Sequence, residues 1–268
     1  MGINAEIVKV GDRVKIAGWP TRRPVNELFA TNMLLPAGKE VLLTPRATSQ
    51  WSDETLGVAD AWVSDGGAGI TDDFGDGIFR VWSTNMANPE SFPLFRDVEA
   101  SYPLTDHART ARESWDPVAD NPYLGCTPMG MPRVMGQPYP IEFVDNGEEI
   151  GLRIELYDIE RTIYMNNGPK AEGLSRSSQG HSVGRWDGDT LVVTTTRVNW
   201  PYFDQSGVPL TEAAEIVEQF TPDRDSGRLH YTMTVTDSSV FTAPVILEKY
   251  WTWRRGEQIQ QYECNDNE

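Results

Sequence analysis

From residue 138 onward, apolar and polar residues alternate in short runs bounded by turn chemistry, the period-two pattern of strands with one buried face. The runs 141–144 and 149–157 flank Asn146-Gly147, and 159–165 ends at Asn166-Asn167-Gly168-Pro169. The runs 180–186 and 190–198 flank Asp187-Gly188. Asn-Gly and Asp-Gly pairs accept positive φ and so favour tight hairpins. Further runs at 212–221, 229–236, 245–253 and 258–262 are separated by Ser226-Gly227, Pro244 and Arg255-Gly256. The spacing predicts about nine strands, and closing them into an antiparallel up-and-down β-barrel of lipocalin or calycin type removes the exposed edges.

Upstream the pattern changes twice. Residues 1–46 hold short β runs at 5–10, 13–18, 27–35 and 40–44, punctuated by Gly11-Asp12 and by Pro36-Ala37-Gly38-Lys39. They read as a small antiparallel β unit, part of a domain rather than a whole one. Residues 47–137 are rich in Gly, Pro, Asp, Asn and Ser and read as an irregular linker or lid, with one apolar piece at 77–82 and one short helix at 105–115. That helix has Thr105 or Asp106 as N-cap and stops before Pro117. Residues 138–268 form the barrel.

The alternation also sorts faces. Ile150, Leu152, Ile154 and Leu156 share one side of their run, leaving Arg153, Glu155 and Tyr157 on the other, which is a polar barrel floor if it points inward and ordinary surface if outward. In the run at 212–221, Glu212, Glu215 and Glu218 are three apart, as on a helix face. The strand reading is favoured, with Ala214, Ile216 and Phe220 inward and Glu218 a candidate buried acid.

Charge narrows the partners. The chain carries 23 Lys+Arg against 40 Asp+Glu, a formal net charge of −17, which repels nucleic acid and anionic lipid heads. No apolar run is long enough to cross a bilayer as a helix. A small-molecule ligand or substrate is the expected partner, with no nucleic acid and no membrane insertion. Nine Trp, nine Tyr and nine Phe supply aromatic surface for a ligand or for plain core. Residues 1–6 lack the features of a secretory leader. Cys126 and Cys264 suit either one disulfide in an oxidising compartment or two buried thiols.

Gly180-His181-Ser182-Val183-Gly184 matches the nucleophile-elbow pattern of serine hydrolases, but a turn into another β run follows where the elbow needs a helix. His107, His181 and His230 are too scattered for a metal site, and the acids within 65–77 miss the spacing of a calcium loop. No cofactor or metal is therefore expected. His181, at a Gly-bounded strand start, is the candidate proton carrier, with Glu155 and Tyr157 as its catalytic company. Arg161 and Tyr164 are candidates to bind a carboxylate or phenol, and Trp186, Tyr202 and Glu218 to line the substrate site.

The run Gly180-His-Ser-Val-Gly-Arg-Trp-Asp-Gly-Asp-Thr-Leu-Val-Val193 is joined by Leu156-Tyr157, Arg161-Thr-Ile-Tyr164, Thr211-Glu-Ala213, Val217-Glu-Gln-Phe220 and Tyr262-Glu-Cys-Asn265. Together they resemble a large group of uncharacterised bacterial proteins, many of them exported. Asp12-Arg-Val, Gly18-Trp and Leu34-Leu-Pro-Ala-Gly38 look like the second half of a small β domain of unknown function that often precedes such chains, without its leader. The resemblance implies a periplasmic or secreted location and a Cys126–Cys264 disulfide, and it carries no activity.

The expected function is an exported barrel enzyme acting on a small, partly aromatic or apolar molecule by cofactor-free acid/base chemistry, as a lyase, isomerase or hydratase. The alternatives are a lipocalin-like binding protein without turnover and an envelope assembly protein whose irregular segment is a contact surface.

Overall fold

Strands form where the chain alternates, and their order is visible in a computed structural model that describes residues 7–20, 28–44, 47–57, 77–85, 91, 101–165, 173–254, 256–262 and 264. Most of the stretch 65–77, the turn 166–169 and the start of the run 5–10 lie outside the described residues; residues 7–10 are turn and coil. The described residues fall into two compact units, one within Met1–Asp65 and Asn85–Pro89, the other within Gly66–Thr84 and Glu90–Glu268.

The first unit is a four-stranded sheet ordered β1 (Lys15–Pro20), β2 (Leu28–Leu34), β3 (Glu40–Leu42) and β4 (Thr55–Gly57). Pairing is antiparallel except between β3 and β4, which run parallel. The fully buried Glu40 carboxylate organises its loop, accepting the backbone N–H groups of Gln50, Trp51 and Ser52 and the Asn32 amide. Burial would raise its pKa, yet those donors bring it below the ordinary carboxylate range.

The second unit is a closed nine-stranded barrel. In chain order its strands are β5 (Val81–Ser83), β6 (Ile141–Asp145), β7 (Glu149–Ile154), β8 (Ile159–Met165), β9 (His181–Asp187), β10 (Thr190–Thr196), β11 (Glu215–Asp223), β12 (Arg228–Thr236) and β13 (Val245–Trp253). Around the ring they follow the order β10-β11-β12-β13-β5-β6-β7-β8-β9, and β9 closes on β10. The run 258–262 is coil, and the short β5, with Trp82 fully buried, fills the place between β13 and β6. The run at 212–221 is strand β11, with Ala214, Ile216, Glu218 and Phe220 buried.

A ring with an odd number of strands cannot alternate direction all the way round, so one seam must be parallel. That seam is β8–β9, with Ile163 opposite Ser182 and Met165 opposite Gly184, and here the barrel departs from strict up-and-down order. Close packing across it depends on Gly184, where an added Cβ would come within 2.7 Å of the Ile163 side chain and 2.8 Å of Met165 Sδ. Helix α1 (Asp106–Ser114) forms as its capping chemistry predicts, with the Thr105 hydroxyl accepting from Ala108 N at 3.2 Å. Among the described residues no helix is long and apolar enough to cross a membrane.

The interior is filled by side chains. Phe220 lies 5.1 Å from Phe143 and 4.8 Å from Tyr231, and Tyr231 lies 5.1 Å from Trp251, ring to ring. Of the two facings open to the run 149–157, the apolar one is inward: Ile150, Leu152 and Ile154 are buried, whereas Arg153 is exposed and paired with Glu142 at 2.8 Å.

Candidate functional site

Two groups of polar residues stand out, one sealed inside the barrel and one at its corner. On β8 the inward series Ile159, Arg161, Ile163 places a guanidinium among apolar residues, and on β11 Glu218 does the same between Ile216 and Phe220. The ring brings them together as a buried ion pair. Arg161 Nη1 also donates to Glu218 Oε1 at 3.1 Å and faces Met131 Sδ at 3.6 Å. Its Nη2 donates to Thr195 Oγ1 at 2.5 Å and its Nε to Ser182 Oγ at 2.8 Å. The Tyr231 hydroxyl donates to Glu218 Oε1 at 2.8 Å. Burial and the neighbouring Glu218 charge hold the Tyr231 phenol well above its ordinary pKa. Every nitrogen of the guanidinium and both carboxylate oxygens thus have protein partners. Ser182 belongs to this network, is buried, and lies in a strand that continues to Asp187, so the elbow pattern has no elbow geometry.

Lys249 lies on the inward series Val245, Leu247, Lys249, Trp251 of β13. Its ammonium sits 4.1 Å from the Trp251 ring centroid and reaches Thr84 Oγ1 at 3.5 Å and the Gln137 carbonyl at 3.4 Å. Burial pulls its pKa down to about 7.

The corner group forms where β7 ends. Tyr157 and Asp158 both take left-handed backbone, φ 58° and 49°, in the short 3-10 turn Leu156–Asp158. Such conformations cost non-glycine residues energy and concentrate at functional sites. The half-buried Glu155 carboxylate accepts from Gln260 N at 2.9 Å, and Asp158 accepts from Tyr262 N at 3.0 Å. The Tyr262 ring lies 4.8 Å from Tyr157 and 5.6 Å from Tyr139. Burial raises the Glu155 pKa; the Gln260 N–H opposes this, and the charges of Glu257 and Asp158 add to it. Burial and the hydrogen-bonded Tyr262 phenol push Tyr139 up to about 12. The segment that supplies Gln260 and Tyr262 is fastened by the Cys126–Cys264 disulfide, which spans 138 positions in sequence with the Cα atoms 6.0 Å apart.

The structure therefore brings Glu155 together with Tyr157, and Arg161 together with Glu218, but not His181 with Glu155. His181 is buried on the outward face of β9, its ring 5.2 Å from Tyr164 and its Nε2 without a hydrogen-bond partner among the described residues. Tyr164 is five positions beyond Ile159 on β8, about 17 Å from the Glu155 turn at the usual strand rise. Trp186 is at the far end of β9, half exposed and 6.2 Å from Phe79. Tyr202 packs at 6.1 Å against Trp115. Tyr139, Tyr262, Tyr231 and Lys249 were absent from the sequence-derived candidates. Among the described residues no three His, Cys, Asp or Glu side chains converge as a metal ligand set. No protein-family model and no curated protein matches the chain.

Proposed function

We propose that this is an exported β-barrel enzyme that binds a small, partly aromatic molecule at the Glu155 corner and moves a proton on it without a cofactor, as a lyase, isomerase or hydratase does. The carrying observation is a half-buried carboxylic acid whose pKa is raised by its surroundings, set beside Tyr157 on a strained turn. A carboxyl tuned upward exchanges a proton closer to neutral pH than an ordinary one, and phenols beside it orient a substrate by hydrogen bonds and ring contact. His181, tilted against Tyr164 in a separate place, takes no part in this reading. The disulfide supports export to an oxidising compartment, where such bonds persist, and export also accords with the bacterial group that the 180–193 run resembles.

The test is incubation of the protein, under oxidising and under reducing conditions, with a panel of hydroxylated and α,β-unsaturated aromatic acids, followed by chromatography. Conversion of at least one compound is expected, lost in Glu155→Gln with the fold intact by circular dichroism. Binding without conversion would favour the lipocalin-like carrier. Neither binding nor conversion would favour an assembly role, which the exposed Ile16, Trp19 and Leu28 of the small sheet support.

A further inference from the structure

Residues 256–262 run along the corner without joining the sheet. Two of their backbone donors go to carboxylates, Gln260 N to Glu155 and Tyr262 N to Asp158, rather than to a strand ladder. Glu257 adds one contact, accepting from Ser83 Oγ at 2.5 Å. The segment is thus a strap held by side chains and stapled beyond its end by Cys264 to Cys126. What it places against Tyr157 and Tyr139 is a phenol, the Tyr262 ring, 4.8 Å and 5.6 Å from theirs. Tethering keeps the local concentration of that phenol high, so a free phenol competes poorly while the staple is closed.

We propose that Tyr262 fills the ligand slot of the Glu155 corner as an internal surrogate, that the slot's own ligand is a phenol of similar size, and that reduction of Cys126–Cys264 releases the strap and opens the slot. The ligand class rests on the corner being the substrate site. In the reduction a dithiol donor gives two electrons and two protons: the Cys126–Cys264 bond breaks, two thiols form, and the donor closes its own disulfide. The strap then retains the contacts of Glu257, Gln260 and Tyr262 without its staple, which places it at the low-stability end of the molecule.

The experiment uses the full chain and p-cresol, the side-chain analogue of tyrosine, as probe. Amide hydrogen exchange at Gln260 and Tyr262 and p-cresol binding by titration calorimetry are measured on the oxidised protein, on the dithiothreitol-reduced protein, and on the Cys126→Ser/Cys264→Ser double variant, which controls for the reductant. The expected result is protection and no binding when oxidised. At least tenfold faster exchange with p-cresol binding is expected for the other two, and Tyr262→Ala should bind p-cresol even when oxidised. Unchanged protection in both reduced and double-variant protein overturns the release, and faster exchange without p-cresol binding overturns the slot. Equal binding by oxidised and reduced protein overturns the gating. None of these readouts needs turnover, so an open slot on a protein that converts nothing would sink the enzyme reading alone.

Discussion

Arg161 and Glu218 gain their mutual attraction only after giving up water on all sides, so the pair's net contribution is small, whereas an unpaired charge left in the same place is costly. Glu218→Leu or Arg161→Met alone should therefore destabilise the barrel by about 3 to 5 kcal/mol in urea unfolding, while Arg161→Met with Glu218→Leu should fall within about 2 kcal/mol of the parent. Equal losses in the singles and the double would mean that packing, not charge, sets the cost. Lys249 gives a second residue-level expectation, with its sign fixed by linkage. The unfolded chain keeps the lysine proton up to about 10.5 and the folded chain only to about 7, so between those values the unfolded state holds more protons and stability rises with pH. Lys249→Met should remove that slope, measured as urea midpoints across the range. These inward polar residues were half legible. Alternation exposed Glu218, because its strand has apolar residues on either side of it at two-residue spacing, and the same rule applied to 159–163 and 245–251 singles out Arg161 and Lys249. Their partners were not legible, since the alternation does not state which strands the ring brings face to face.

At the scale of elements, most strands and α1 lie where period-two alternation and capping place them, and the Asn-Gly and Asp-Gly turns deliver the hairpins β6–β7 and β9–β10. Two features followed from closure instead. A short apolar piece at 81–83 became β5 because the gap between β13 and β6 needed a strand, and polar 258–262 stayed outside because its backbone found carboxylates. The parallel β8–β9 seam is a consequence of odd strand number, and Gly184 is what lets it close. Gly184→Val should push β8 from β9 and cost about 3 kcal/mol, read as a lower thermal midpoint with faster amide exchange in β8 and β9 than in β12. Loss spread evenly over all strands would contradict a local seam.

For the whole molecule, the proposed site depends on contacts far apart in sequence. Glu155 meets Gln260 across 105 positions, and Cys126 meets Cys264 across 138, so the corner site had no local signature beyond Glu155 and Tyr157 themselves. With aromatic rings and a closed ion-pair network occupying the barrel interior, the proposed chemistry falls to the corner, where a strained turn, a raised carboxyl and a stapled strap meet. The direct test is a carboxyl-carbon NMR titration of the oxidised protein, with Glu155 assigned through Glu155→Gln. The Glu155 carboxyl should keep its proton to a higher pH than an ordinary glutamic acid. Titration at or below the ordinary range would contradict it and remove the proton carrier on which the proposed chemistry stands.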